Sequence, residues 1–135
     1  MNTLDSMIGY HGRYEYLGEA SARLDDVVNV LPARLGALLL VAAAALLGRN
    51  PRQAWATMRR DHARSESPNA GWTMSAMAGG LRVSLEKPGH YTIGESLPEP
   101  GPRDVRGAVA LASTAAALGL VLSSGLALAV RAALT

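Results

Sequence analysis

Apolar residues gather in two blocks of this chain, and the longer block runs from residue 107 to residue 130. Its 24 residues carry no charge and lie between Arg106 and Arg131. As a helix this run would extend about 36 Å, which exceeds the roughly 30 Å thickness of the hydrocarbon core of a bilayer. The pattern predicts a transmembrane helix over residues 107–130, the alternative being a buried helix of a soluble protein.

The first apolar block, residues 35–47, is predicted as a membrane or re-entrant helix. It holds only 13 uncharged residues, a length that also suits an interfacial or re-entrant helix. Apolar residues at helical spacing predict a separate helix from Ser21, and Pro32 would then stand in the first turn of the next helix. Extending the membrane segment back to Val27 reaches spanning length only by including polar residues such as Arg34, whose charge would snorkel toward the headgroups.

The segment between the two blocks, residues 48–106, carries nine Lys or Arg residues, whereas residues 1–34 carry three. The tendency of basic loops to remain inside predicts that this central segment is cytoplasmic. If residues 35–47 span the membrane, the N-terminal region lies on the opposite face from the central segment. A re-entrant block would place both on one face, and the sequence leaves the two arrangements open.

Shorter elements are predicted within and after the central segment. Residues 49–64 form a basic amphipathic pattern in which Trp55 and Met58 share a face, typical either of a helix on an anionic membrane surface or of an ordinary solvated helix. Three further elements follow: a turn over 67–71, a closely packing helix of small residues over 73–81, and an irregular connector over 88–102. In the last helix a small-residue seam for another membrane helix is predicted at Ala115, Gly119, Ser123 and Ala127.

Composition agrees with this picture, because 49% of the residues are hydrophobic but only 4% are aromatic and none is Phe. This composition is unusual for a soluble core, and the fold class predicted is an all-α integral membrane protein. One or two transmembrane helices, short amphipathic helices and loops would make it up. A net charge of +2 gives no argument for a nucleic-acid partner, and the lack of Cys excludes disulfides and thiolate metal sites. No secretory leader pattern is present, and His11, His62 and His90 lack the spacing of metal ligands.

The sharpest chemical pattern is Asp25, Asp26 and Asn29, because positions 25 and 29 share one helix face with Asp26 beside them. Carboxylate and amide oxygens are the hard ligands that Mg²⁺ bound to phosphates prefers. The structural alternative is a pair of acids that complements a helix dipole. Arg23 and Arg34 flank these acids and offer guanidinium groups to phosphate or carboxylate, or else pair with the acids themselves.

Two other polar segments are candidates for binding. Ser67, Asn69 and Gly71 lie in a turn that enters a helix, where main-chain donors can hold an anion, although they are also ordinary turn formers. Near the start of the chain, further polar side chains stand at Asn2, Asp5 and Ser6. Without other information these three are interpreted as a helix cap or a solvated turn.

Three strings resemble the adenosylcobinamide-phosphate synthase family (CobD/CbiB) of cobalamin biosynthesis: NTLDSMIGY at 2–10, ASARLDDVVN at 20–29 and SPNAGW at 67–72. The resemblance implies a multi-pass enzyme of the cell membrane that joins aminopropanol, or its phosphate, to a carboxylate of the corrinoid cobyric acid. ATP and magnesium would be consumed as co-substrates. The chain would correspond to the C-terminal half of a typical member, so its partners would include membrane lipid and an N-terminal half or other membrane helices.

The resemblance also suggests roles for the candidate residues. It implies magnesium-phosphate binding by Asp25, Asp26 and Asn29, and it implies nucleotide or corrinoid contact for the following residues: Asn2, Asp5, Ser6, Arg23, Arg34, Ser67, Asn69 and Gly71. In the family the Ser-Pro-Asn-Ala-Gly part of the third string usually continues with an aromatic residue, Pro and Glu, whereas Thr73 and Met74 follow Trp72 here. A His common just before that string is replaced by Ser65, so no catalytic acid or base is assigned.

Two rival functions remain open at this stage. The Asp-Asp-x-x-Asn pattern is also similar to a diphosphate-metal signature of membrane prenyl-transferring enzymes, which would act without a corrinoid. The other rival is a non-catalytic membrane subunit whose small-residue seam and basic central segment serve assembly.

Overall fold

The computed structural model describes residues 15–134, with side chains from residue 23 onward apart from that of Asp25. Within this range the chain forms four α-helices, one 3₁₀ turn and one β-hairpin. Their bounds are α1 Glu15–Leu46, α2 Pro51–Asp61, the 3₁₀ turn His62–Arg64, α3 Ala70–Leu81, β1 Leu85–Lys87, β2 Tyr91–Ile93 and α4 Pro102–Ala133. The predicted all-α membrane class is confirmed. The predicted sites at Asn2, Asp5 and Ser6, and the histidine His11, lie outside the described residues.

The two long helices, α1 and α4, are the ones that are apolar enough to cross a membrane, over Asp26–Leu46 and Pro102–Ala133. They run antiparallel, since a Cβ built on Gly119 would lie 3.3 Å from Leu39 Cδ1, whereas Leu111 packs near Ala44 at the other end. Within the most apolar 18 residues of each helix, only 22% and 11% of the residues are buried. A core helix of a soluble protein is mostly buried, so the exposure favours contact with lipid or with further helices.

The boundary predicted at Pro32 is wrong, because α1 continues through this residue as one helix from Glu15. A proline inside a helix removes one main-chain hydrogen bond and crowds the carbonyl four residues earlier, at Val28. Membrane helices tolerate this loss where neighbouring helices, hydroxyl side chains or local changes of helix geometry satisfy the freed backbone group. The apolar block of residues 35–47 is therefore the C-terminal part of a longer helix, and residues 107–130 lie within α4.

Helices α2 and α3 pack unusually close to each other, as the small residues of α3 predict. A Cβ built on Gly79 would lie 2.5 Å from the carbonyl oxygen of Gln53 and 2.7 Å from Ala54 Cα. The core that they share with α1 and α4 is built mainly from small side chains: Ala37, Leu40, Ala43, Ala44, Ala54, Met58, Ala76, Leu111 and Ala115. Because most of the core side chains are small, the helix axes approach closely and leave little space for large side chains.

Trp55 and Met58, which the sequence places on one face of α2, differ in burial. Met58 is 1% exposed, whereas Trp55 is 43% exposed. The buried face of α2 also includes Ala54 and Asp61, which continue the helical repeat of positions 54, 57, 58 and 61. Trp55 therefore projects beside that face together with the exposed basic residues of α2.

Part of the connector predicted over 88–102 is ordered as a strand. Strands β1 and β2 pair antiparallel, with Leu85 opposite Ile93 and Lys87 opposite Tyr91. The turn between them uses Gly89 at φ +77°, a left-handed conformation that glycine adopts without a steric penalty. Each strand has three residues, too few for an alternating pattern to stand out in the sequence.

The start of α3 and the predicted seam of α4 also differ from expectation. Helix α3 begins at Ala70, three residues before the predicted start, because the turn preceding it already follows helical geometry. Along the seam, Ala115 is buried against α1 and Gly119 approaches Leu39, whereas Ser123 and Ala127 are exposed in the described part of the chain. The first half of the seam therefore packs within this chain.

Candidate functional site

The packing of α3 against α1 brings together two predicted motifs that lie far apart in sequence. The Asn69 Nδ2 group donates a hydrogen bond to the main-chain oxygen of Asp26 at 2.8 Å and lies 3.5 Å from its carboxylate Oδ1. Asn69 is only 8% exposed, and its Oδ1 atom has no hydrogen-bond partner among the described residues. Since an unpartnered buried acceptor costs about 1–3 kcal/mol, this oxygen is a natural place for a ligand or an ion to bind.

A cleft of about 350 Å³ lies next to this contact. It is lined by Arg34, His62, Ala63, Ser65, Glu66, Pro68 and Trp72. The Arg34 guanidinium lies over the Trp72 ring, 4.9 Å from its centroid, and Arg34 Nη1 donates to the Val30 carbonyl at 2.9 Å. The ring and the carbonyl hold the guanidinium in place, so its remaining donors are oriented before an anionic group arrives.

His62, at the start of the 3₁₀ turn, also packs against Trp72. The two ring centroids are 4.0 Å apart and the planes are tilted by 33°. His62 Nδ1 lies 3.1 Å from the carbonyl oxygen of Met58 and 3.2 Å from that of Arg59. Because carbonyl oxygens only accept, Nδ1 carries the hydrogen, and Nε2 is the acceptor of the neutral ring. Sequence reasoning set His62 aside, since its partners come from packing and not from metal-ligand spacing.

The turn before α3 uses many of its own donors. Ser67 Oγ accepts from the Ala70 N–H at 3.3 Å, and the Gly71 N–H points to the Ser67 carbonyl at 3.5 Å. A Cβ on Gly71 would overlap the carbonyl oxygen of His62, so glycine is needed for the close approach of the 3₁₀ turn. Ser67 and Gly71 therefore shape the turn that presents Asn69, and an anion role for them stays a prediction.

The magnesium-phosphate candidates lie on α1. Asp26 and Asn29 are half-buried, the side chain of Asp25 lies outside the described set, and Arg23 is exposed. Among the described side chains, no group of three or more His, Cys, Asp or Glu residues is placed to hold a metal ion. One carboxylate with amide oxygens nevertheless suits Mg²⁺, because that ion often keeps several waters and takes its other ligands from substrate phosphates.

A buried carboxylate that sequence reasoning did not single out, Asp61, fixes the end of α2 next to the cleft. Asp61 is 0% exposed and accepts from Arg60 Nε at 2.8 Å, from the Gly94 N–H at 2.8 Å, and pairs with Arg64 at 3.3 Å. The hydrogen bond from Arg60, opposed by burial and aided by the Gly94 N–H, holds the pKa of this carboxyl below its ordinary range. The residue ties the loop after β2 to α2 and so positions His62. The one feature of the sequence that could have indicated its ion pairing is its position directly after two arginines.

A second, exposed cluster ties the hairpin to the loop before α3. Glu66 pairs with Lys87 Nζ at 2.6 Å and with His90 Nδ1 at 2.5 Å. The Lys87 hydrogen bond lowers the pKa of the Glu66 carboxyl, and the same contact raises the pKa of Lys87. These exposed ion pairs fix one wall of the cleft but contribute little to stability.

Comparison with known proteins gives matches to cobalamin biosynthesis proteins. The family model "CobD/Cbib protein" matches residues 1–121. A "Cobalamin biosynthesis protein CobD" of Dehalococcoides mccartyi is 44% identical over 125 residues, which cover 93% of this chain and 41% of the relative. The "Cobalamin biosynthesis protein CobD" of Rhodobacter capsulatus is 44% identical over 135 residues, with the same two coverages of 93% and 41%.

An archaeal relative shows the same similarity over a shorter stretch. The "Probable cobalamin biosynthesis protein CobD" of Methanothermobacter thermautotrophicus is 48% identical over 96 residues, which cover 70% of this chain and 32% of the relative. The chain thus spans about two fifths or less of the length of these relatives. No solved structure matches it.

Proposed function

We infer a role in cobalamin biosynthesis from one premise: this chain belongs to the CobD/Cbib family. The finer proposal is that it forms part of an adenosylcobinamide-phosphate synthase, a ligase that makes a C–N bond. In this proposal the protein is a multi-pass component of the cell membrane, where further helices complete the enzyme. The exposed apolar surfaces of α1 and α4 support that setting.

The observation that carries the proposal is the contact between Asn69 and Asp26. It joins the Asp-Asp-x-x-Asn string of α1 to the Ser-Pro-Asn-Ala-Gly string at the start of α3, across 43 positions of sequence. The buried Oδ1 of Asn69 is left without a partner in the described structure, beside a cleft that holds the guanidinium of Arg34. The orphaned oxygen and the oriented cation at this place support a binding role beyond that of a structural hydrogen bond.

The reaction requires activation of a carboxylate, because a carboxylate does not acylate an amine at a useful rate. Transfer of the terminal phosphoryl group of ATP to a corrinoid carboxylate would give an acyl phosphate and ADP. Attack by the amine of aminopropanol, or of its phosphate, would then form the amide and release inorganic phosphate and a proton. Each stage develops negative charge on phosphate oxygens, which oriented cations and hard-ligand metal sites stabilise.

Several residues of the site have a defined part in this proposal. Asp26, Asn29 and Asn69 would hold magnesium, which supplies Lewis-acid neutralisation of phosphate charge when it is bound. Arg34 would bind anionic oxygens through the donors that the Val30 carbonyl does not use. The Trp72 ring would cover this side of the cleft and limit the access of water that would hydrolyse an acyl phosphate.

The test is an amide-ligation assay in detergent with cobyric acid, ATP, magnesium and aminopropanol phosphate, read by mass spectrometry. The protein is assayed alone and with the N-terminal portion of a family relative supplied in trans. Product in either arm supports the ligase, and product only in the second arm shows that further helices are required. A lack of product in both arms, with both proteins folded, would favour the non-catalytic subunit.

Asn69→Ala then tests the site itself. The variant removes both the contact to Asp26 and the orphaned oxygen, and we expect kcat/KM to fall on the order of 10- to 100-fold, as for loss of a group that supports a metal site. Ser113→Ala is the matched control, since its hydroxyl bonds only to the Ala110 carbonyl on the exposed face of α4. Normal turnover in a folded Asn69→Ala protein would contradict the assignment of this site.

A further inference from the structure

A second cleft, of about 510 Å³, lies where α1 ends, α2 begins and α3 ends. It is lined by Gly48, Arg49, Asn50, Pro51, Arg52, Gly80, Leu81 and Arg82. Three of these residues are arginines, and no lining residue is acidic. We call this site, with its three arginines Arg49, Arg52 and Arg82, the arginine cleft.

The three arginines are exposed, and across the described residues none of them forms an ion pair or a side-chain hydrogen bond. Other arginines of the same chain behave differently, since Arg60 pairs with Asp61 and Arg64 pairs with Glu95. Three unpaired guanidinium groups around one concave surface repel each other, and an anion in the cleft would offset that repulsion.

Arg82 has an unusual backbone conformation. It ends α3 at φ +61° and ψ +45°, the left-handed conformation in which glycine is the usual residue. It is the sole non-glycine residue with positive φ in the described chain. A glycine would end the helix at lower cost, so the arginine is best explained by a use for its guanidinium.

The arginine cleft lies at the level where both apolar helices have an end. Helix α1 stops at Leu46, and Arg49 reaches the first turns of α4, where its guanidinium meets the buried backbone of Gly107. Arg103 and Arg106 are exposed in these first turns of α4 and extend the basic surface. The end of a membrane-spanning helix is the depth at which basic side chains meet lipid phosphates.

We propose that the arginine cleft binds a phosphate group, with the phosphodiester of an anionic lipid headgroup as the source that its position favours. A soluble phosphate offers the same chemistry to Arg49, Arg52 and Arg82, so the test must separate the two sources. This inference does not depend on the ligase activity, because the cleft is lined by none of the residues assigned to the first site.

The experiment measures binding to the full chain, purified in a neutral detergent at low salt. One arm titrates short-chain phosphatidylglycerol, a second titrates zwitterionic phosphatidylcholine, and a third titrates inorganic phosphate and pyrophosphate. The variants are Arg52→Gln and Arg82→Gly, and the matched control is Arg59→Gln, an exposed arginine of α2 that does not line the cleft.

We expect each cleft variant to bind phosphatidylglycerol about fivefold more weakly, the loss typical of one basic residue at an anionic surface, whereas Arg59→Gln keeps wild-type affinity. Arg82→Gly should also keep or raise the unfolding temperature, because glycine fits the left-handed conformation. Weaker binding with unchanged folding separates a ligand role from a structural one.

The outcomes divide as follows. Preference for phosphatidylglycerol over phosphatidylcholine, reduced in both cleft variants, supports the headgroup as the ligand. Saturable binding of phosphate or pyrophosphate with the same dependence on Arg52 and Arg82 supports a soluble phosphate. If wild-type protein and cleft variants bind every probe equally, or if Arg59→Gln weakens binding as much as they do, the proposal is overturned.

Discussion

Replacement of the buried Asp61 by Asn tests whether this carboxylate holds the end of α2 in place. Asn keeps the shape of the side chain but removes its charge, and its NH₂ group must face the donors of Arg60 or of the Gly94 N–H. Breaking a buried ion pair costs about 3–5 kcal/mol when the remaining charge stays buried. Here Arg60 and Arg64 are 51% and 41% exposed, so water can solvate them after the change. We therefore expect a loss of about 2–3 kcal/mol, with a main contribution from the donor that then faces the NH₂ group without an acceptor.

The same residue predicts a dependence of stability on pH. The pKa of Asp61 is lower in the folded protein than its ordinary value of 3.8, chiefly because of the hydrogen bond from Arg60. The unfolded chain therefore binds a proton more readily, and acid favours unfolding. The contribution of Asp61 is complete above pH of about 4, near the unfolded pKa, and it is lost as pH falls through the folded value. Asp61→Asn should flatten this acid limb.

The assay follows the fluorescence of Trp55 and Trp72 during thermal and chemical unfolding in detergent between pH 3 and pH 7. Glu66→Gln is the matched control, because Glu66 also forms ion pairs but its side chain is 57% exposed, and it should leave the unfolding temperature at neutral pH unchanged. A loss of under about 1 kcal/mol for Asp61→Asn, or an acid limb as steep as that of the wild type, would refute the argument from burial.

Two further predictions follow from the contacts described above. Gly79→Ala should destabilise the protein by about 1–3 kcal/mol, because its Cβ would overlap α2. Gly80→Ala should stabilise it by about 0.5–1 kcal/mol, since its Cβ would lie 3.4 Å from Leu111 Cδ1. Equal unfolding temperatures for the two variants would contradict the close packing of α2 and α3. Arg34→Lys keeps the charge over Trp72 but loses the planar guanidinium. We expect the rate of ligation to fall about tenfold, which is about 1.4 kcal/mol of activation free energy, without a change in unfolding temperature. Full activity in the ligation assay would argue against a role for Arg34.

Features that depend on residues close together in sequence could be predicted, whereas features that depend on contacts between distant residues could not. Uncharged length alone indicated the helix over residues 107–130, because the thickness of a bilayer sets that requirement locally, whereas it left the spanning of residues 35–47 open. The contact between Asp26 and Asn69 was not predictable, since it arises from how α3 packs on α1 through small residues. Asp61 was missed for the same reason, because its partner Gly94 comes from a hairpin too short to show a strand pattern. Pro32 misled because its local preference was outweighed by the surrounding helix.

The proline within α1 also has a mechanical consequence. Pro32 lies between Asp26, which Asn69 contacts, and Arg34, which lines the first cleft, so the helix lacks one main-chain hydrogen bond near the site. Bending stiffness is lowest where that bond is missing, and the angle between the two halves of the helix sets the distance between the carboxylate and the guanidinium. A bound substrate that touches both groups would hold the angle at one value, so that occupancy of the cleft would be transmitted along α1 as a change in helix curvature.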